Sequence, residues 1–406
     1  MTTADAPTAS EIRLNLFGRT DVGQIREHNE DNFLIADLTR KSRSLMEADR
    51  EQLVGPRGTV LGVCDGMGGA AAGEVASQLA VDIIYEKLVQ GHPADHNELA
   101  RGLVRAVEEA GARIFNEARA DRTRRGMGTT ATIAALVDAR LFVAQVGDSR
   151  AYVLREGRLV QVSRDQSLVN QLIEAGQLTE EEAETFEHNN IILQALGTAE
   201  TVQVDLTFVD LRRSDVLLLC SDGLSGMIRS EEIREVLSTV PEPLDACREL
   251  TDRANRAGGH DNITVIVARF DGSSLPDPRA EDPPLAYQKY ALPDAPPDAQ
   301  DATIRTVSTL PGEAATMPPS EEARDPRRLR VGHTMVGMAS AVTPEMLAAA
   351  DAPHGMRPHS SPPLASYGPV DEPVELPTTG FPPSLVGFMV LGAMVLAAVA
   401  GFLLLR

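Results

Sequence analysis

Four times this chain sets an aspartate against the end of an apolar, β-branched run. Thr59-Val60-Leu61-Gly62-Val63-Cys64 leads straight into Asp65. Leu141 to Gly147 leads into Asp148, and Asp215 to Cys220 is followed by Ser221 and Asp222. Asp261 and Asn262 stand immediately before the run Ile263 to Phe270. Runs of this kind read as buried strands. A strand packed on both faces has no room for a carboxylate, so each acid belongs at the mouth of its strand. Gly66, Gly147 and Gly223 sit beside three of them and let backbone come close. One such acid is an ordinary strand end with a tight turn. Four on adjoining strands would meet at one end of a sheet. Carboxylates that close repel and raise each other's pKa unless cations neutralise them. The candidate ligands are carboxylates and the bare carbonyl of Gly66, with no Cys or His pair, which favours Mg²⁺ or Mn²⁺ over Zn²⁺.

Around these strands the patterning alternates between sheet and helix. Phe17 to Gly23 reads as strand and turn. The dense polar cluster Arg26 to Phe33 then enters the apolar Leu34-Ile35-Ala36. Thr39 to Gly58 reads as a solvated polar insertion. Gly73 to Gln90 and Glu98 to Arg119 have helical spacing, and further helices are expected at about 230–238 and 243–257. Hairpins turn at Asp138-Ala139-Arg140 and at Glu156-Gly157. Residues Asp165 to Thr198 break the strand rhythm with two short helical patterns, the second opening on the capping pair Thr179 and Glu182. This stretch reads as an excursion from the sheet, a flap.

The net charge of -21 and the pI near 4.8 argue against a nucleic-acid partner, which needs basic surface. Cys64, Cys220 and Cys247 lack metal-type spacing and fit packing roles in a reducing compartment. Five of the 26 prolines lie at or before Pro243 and the rest beyond Asp271. The chain therefore divides into a patterned domain over residues 11–271 and a Pro-, Ala- and acid-rich disordered linker over 272–380. Within the linker, Pro326 to Arg330 forms a small basic island. Residues 385–405 are uncharged and apolar, enough for one C-terminal transmembrane helix. With a polar Met1 to Ser10 upstream, this predicts a tail anchor in the cell inner membrane and a cytoplasmic catalytic domain.

The same residues carry a resemblance. Val22-Gly23, Arg26 and Asn29-Glu30-Asp31, then Asp65-Gly66-Met67-Gly68-Gly69, Gly126 with Gly128-Thr129-Thr130, Val146 to Arg150, Ser221 to Leu224 and Asp261-Asn262 appear in the order seen in the metal-dependent protein phosphatases called PPM or type 2C. The match spans roughly residues 14–271. It implies an α+β fold, two packed antiparallel β-sheets flanked by helices in an α-β-β-α sandwich, with Mn²⁺ or Mg²⁺ in the cleft. By resemblance Asp65 bridges two ions, the Gly66 carbonyl binds one, and Asp222 and Asp261 complete the other's protein ligands. Asp148 with Asp222 corresponds to a third, weaker site. Asp31 would hold a water of the metal centre, and Arg26 would grip the substrate phosphate. The implied reaction is hydrolysis of phosphoserine and phosphothreonine in proteins, opposing a kinase that is itself a candidate partner. The alternative is a catalytically silent, membrane-tethered phosphoprotein-binding module. Met67 departs from the eukaryotic pattern, which has histidine there as proposed general acid. Bacterial members often share the methionine. It leaves the acid unassigned, with water at the metals as first candidate. His28 and His188 read as surface or packing residues.

Overall fold

The computed structural model describes residues 11–293, apart from 44–49, 70, 71, 94, 184, 185, 187 and 189, together with the short strand Met335–Val336. The chain separates into two units, Met1–Ala352 and Pro353–Arg406, and no described residue falls in the second. In chain order the elements are β1 (Arg13–Asp21), β2 (Asp31–Asp37), β3 (Ser42–Arg43), β4 (Glu51–Leu53), β5 (Thr59–Met67), α1 (Ala72–Gln90) and α2 (His96–Ala120). A 3₁₀ turn at Arg122–Arg124 precedes β6 (Gly128–Thr129), β7 (Ala131–Val137), β8 (Arg140–Val146), β9 (Arg150–Arg155) and β10 (Arg158–Gln161). The excursion holds α3 (Leu168–Glu174), α4 (Glu180–Ala183) and β11 (Ile191–Ile192). β12 (Asp205–Asp210), β13 (Val216–Cys220), α5 (Asp222–Ser225), α6 (Ser230–Thr239), α7 (Pro243–Arg256) and β14 (Ile263–Asp271) follow.

Two antiparallel sheets carry the architecture. One runs β12-β8-β7-β5-β2-β3, with β6 attached to β5. The other runs β10-β9-β13-β14-β1-β4. Their inner faces meet over Leu16, Leu61, Val63, Val143, Val153, Leu217, Leu219 and Ile266. Helices α1 and α2 cover the outside of the first sheet, packing Ile84, Leu103, Val107 and Ile114 on Val60, Ile133 and Phe142. The other outer face lies under α6 and α7, where Val236, Leu237 and Leu250 meet Leu218, Val265 and Val267. Both faces of the central strands are thus dry, which explains why β5 and β7 read as continuous apolar runs and do not alternate. This is the expected sandwich.

The expected helices and hairpins form close to their anticipated bounds, and the differences lie at the edges. The polar insertion 39–58 is structured: β3 pairs with β2 on one sheet, and β4 pairs with β1 on the other. Two and three residues long, these edge strands leave no periodicity to read. The chain after Asp271 does not leave the domain as linker. Leu275 is buried, Tyr290 stacks edge-on against Phe142 and Phe208, and Tyr287 donates to Asp205 at 2.8 Å. Arg212 holds Asp282 by two hydrogen bonds, at 2.7 and 3.1 Å. Proline-rich composition hid this strap because its anchors are scattered single side chains. Met335–Val336 pairs in parallel with β11. The rest of 294–380, the basic island and the apolar segment 385–405 lie outside the described residues. Among the described residues no helix is long and apolar enough to cross a membrane.

Candidate active site

The fold brings the sequence-predicted acids to one place. Register sets Asp31 of β2 directly opposite Asp65 of β5. Asp222 opens α5 just after β13, and Asp261 lies two residues before β14, the neighbour of β13. Asp148 follows β8, two strands along the first sheet from β5. Arg26, Glu30, Asp65, Gly66, Met67 and Asp261 line a cleft of about 1010 Å³, and the residues after β11 form its opposite bank. Asp222 lies within hydrogen-bonding reach of Asp65.

Three carboxylate oxygens in this group, Oδ1 of Asp31, of Asp148 and of Asp222, are buried without a hydrogen-bond partner. A buried, unpaired acceptor is costly and rare in folded proteins. Burial pushes the Asp31 carboxyl up to about 8, with Asp222 and Asp261 adding repulsion. Asp222 is pushed up to about 6, chiefly by burial and then by Asp261, while Asp65 and Arg26 act in the opposite direction. Burial and the surrounding acids raise Asp65 and Asp148 well above the usual carboxylate range. A set of acids this unfavourable to one another fits a cation. Among the described residues no group of three Asp, Glu, His or Cys side chains is arranged to hold an ion by itself. Mg²⁺ takes one or two carboxylates and keeps several waters, so acids that fall short of a closed cage suit it.

Comparison with known proteins decides the family. Residues 42–257 match the family described as protein phosphatase 2C. The chain belongs to the protein phosphatase 2C family. The serine/threonine phosphatase stp of Listeria monocytogenes is 35% identical over 254 residues, covering 62% of this chain and 94% of that one. The crystal structure of the Mycobacterium tuberculosis serine/threonine phosphatase PstP/Ppp superposes with a TM-score of 0.55 at 35% identity, covering 64% of this chain and all of that one. The catalytic domain of PstP in complex with 2 manganese ions gives a TM-score of 0.54 at 34% identity, covering 64% of this chain and 100% of that one.

Several residues that position the phosphatase site carried no role in the sequence reading. Thr130 Oγ1 accepts from the Asp65 N–H at 2.9 Å. The Asp65 carbonyl accepts from Thr130 N–H and from Thr129 Oγ1, both at 2.8 Å. The two threonines therefore fix the peptide unit of Asp65 on both sides. Ser149, next to Asp148, shares a 2.8 Å hydrogen bond with Thr130 Oγ1 and links the two acid-bearing turns. Ser221 Oγ donates to Asp31 Oδ2 at 2.8 Å. Arg150 donates to Asp165 at 2.7 Å and ties the Asp148 turn to the root of the excursion.

Asn262 does the most with one side chain. Its Nδ2 donates to the carbonyls of Val22 and His28, and its Oδ1 accepts from Glu30 N–H, at 2.9, 2.9 and 2.8 Å. That brackets the loop carrying Arg26. Within it Gly23 has φ 80°, and a Cβ there would lie 2.3 Å from the Asp261 carbonyl, so only glycine fits. Gly66 is equally constrained, because a Cβ would fall 2.2 Å from the Gly73 carbonyl and 2.4 Å from that of Glu30. The sequence motif showed these residues side by side. Their hydrogen-bond partners, more than 200 positions away for Asn262, could not be read from it. Met67 is buried against Ile192 and Ala195 and has packing, not proton transfer, as its structural occupation. Cys64 and Cys220 are buried with thiols pushed up by burial, Cys220 to about 12, which suits inert strand residues.

Proposed function

We propose that this protein hydrolyses phosphoserine and phosphothreonine in proteins, with Mn²⁺ or Mg²⁺ as cofactor. The observation that carries the reading is the trio of buried, partnerless oxygens on Asp31, Asp148 and Asp222, beside a cleft that Asp65, Asp261 and Arg26 line. Asp65, the Gly66 carbonyl, Asp222 and Asp261 would hold two ions, and Asp148 with Asp222 a third, weaker one. Bound there, such ions neutralise phosphoryl charge and lower the pKa of water toward neutrality. Asp31, held by Ser221 through Oδ2, would offer its unpartnered Oδ1 to a water of the metal centre. Arg26 presents a planar donor fork that matches two phosphoryl oxygens. Arg26 donates to Asp261 at 2.6 Å. Pairing of Asp261 with a cation would therefore free the guanidinium for substrate. The likeness to stp and to PstP supports the substrate class. A membrane tether through residues 385–405, with the domain in the cytoplasm opposite a kinase, remains part of the proposal.

The test is phosphate release from a phosphothreonine peptide with Mn²⁺, in wild type and Asp222→Asn. Release that the substitution lowers about 10³-fold is expected, since about 4 kcal/mol of stabilisation is at stake. A folded, Mn²⁺-loaded chain that binds the peptide without releasing phosphate would instead identify a silent phosphoprotein-binding module. Retention in the membrane fraction after deletion of residues 381–406 would refute the tether.

A further inference from the structure

The cleft carries a second cationic surface that the chemistry above leaves unused. Among the described residues that line it, the basic ones beside Arg26 are Arg119 and Arg125. Arg119 lies in the last turn of α2, with its guanidinium over the Phe115 ring at 5.6 Å, and Phe115 lines the same cleft. Arg125 closes the 3₁₀ turn that follows. Among the described residues neither forms an ion pair, although Arg124 between them is engaged by Glu117 and Asp121. Favourable interaction with the C-terminal dipole of α2 accounts for an arginine at position 119. It does not account for Arg125, which lies beyond that helix. Gln194, Ala195, Thr198 and Gln203 of the excursion line the same cleft, and among its described lining residues the acids are Glu30, Asp65 and Asp261.

Two guanidiniums without acids are an unusual feature in a chain of net charge -21. Both are exposed and line the cleft that Asp65 and Asp261 also line. We propose that Arg119 and Arg125 form an anion subsite that recognises a second acidic group on the substrate, a neighbouring phosphorylated residue or a carboxylate side chain. This rests on the phosphatase reading and deepens it: the favoured substrates are multiply phosphorylated or acidic phosphopeptides. Arginine suits the task because its planar fork pairs with two oxygens of phosphate or carboxylate at once, and the stacking on Phe115 limits the freedom Arg119 must give up on binding.

The experiment uses the full chain with Mn²⁺ and a set of phosphothreonine peptides. Each bears a second phosphothreonine, a glutamate or a lysine about two to five residues away, a spacing that an extended chain of about 3.3 Å per residue can lay along the cleft. A second phosphate is expected to lower KM about 5-fold relative to lysine and glutamate about 2-fold, with kcat unchanged. The Arg119→Ala/Arg125→Ala variant should lose the discrimination, and Arg119→Glu/Arg125→Glu should reverse it. All three should hydrolyse p-nitrophenyl phosphate within about 2-fold of one another, which also reports that the variants fold. Separation of the phosphate and glutamate arms shows which anion is read. Equal KM values for the three peptides in wild type, or discrimination that survives both variants, would overturn the subsite. If no peptide is hydrolysed at all, the phosphatase reading falls first. The subsite is then judged by fluorescence anisotropy of phosphonate analogues, where equal binding of the mono- and bis-anionic peptides overturns it.

Discussion

The floor of the cleft and its upper bank are built to different standards. On the floor, both sides of the Asp65 peptide unit are fixed by Thr129 and Thr130, Asp31 is oriented by Ser221, and the Arg26 loop is bracketed by Asn262. Of these contacts the one between Ser221 and Asp31 is buried and the others are part-buried. The bank formed by the excursion between β10 and β12 rests on short helices and few anchors. Gln166 exchanges two hydrogen bonds with Gly147, and Leu196 exchanges two with Thr129. Glu174, Gly176 and Glu180 are exposed or half-exposed. The difference separates two jobs. Chemistry needs atoms held in place before the substrate arrives. Recognition of varied protein substrates needs a surface that can adjust, and such surfaces come from the less stable parts of a fold.

That contrast can be broken in graded steps. Chelation should have the largest effect. EDTA is expected to abolish hydrolysis and to lower Tm by roughly 5–10 °C at an ion concentration about 100-fold above Kd, as followed by calorimetry. An unchanged Tm would mean the floor acids do not hold an ion in the folded chain. Next comes Asn262→Ala, which strips partners from Val22, His28 and Glu30. A loss of about 3 kcal/mol in urea unfolding is expected, with KM for phosphopeptide raised more than kcat falls, because Arg26 loses its support. Thr130→Val keeps the shape but leaves the Asp65 N–H and Ser149 without a partner. It should cost about 1–3 kcal/mol and depress kcat more than KM. The smallest change is expected on the bank. Thr179→Ala removes the cap that accepts from Glu182 N–H at 3.2 Å, and should cost about 1 kcal/mol locally, seen as faster amide exchange, with kcat held. A kcat loss there as large as for Thr130→Val would erase the distinction between the two regions.

Both regions were visible in the chain before folding, to different depths. The acids of the floor stood out because each interrupts a dry strand, and burial of both faces forces such a residue to the strand end. The bank stood out only as a break in rhythm. The 272–293 strap was missed altogether. Its anchors, Leu275, Asp282, Tyr287 and Tyr290, are isolated residues in a proline-rich stretch, and each gains meaning only from its partner on the domain.

Local rules, alternation of apolar and polar residues and the placing of glycine, were enough to determine which residues would be strands and which acids would border them. Tertiary structure alone decided which atoms are left unpaired. Oδ1 of Asp31, of Asp148 and of Asp222 is left without a partner, while Ser221 occupies the other oxygen of Asp31. Among the described residues no acid forms an ion pair with Arg119 or Arg125, an outcome that local sequence does not reveal. Pairing over long sequence separations is set by how two sheets close on one another, and no window of sequence contains that information.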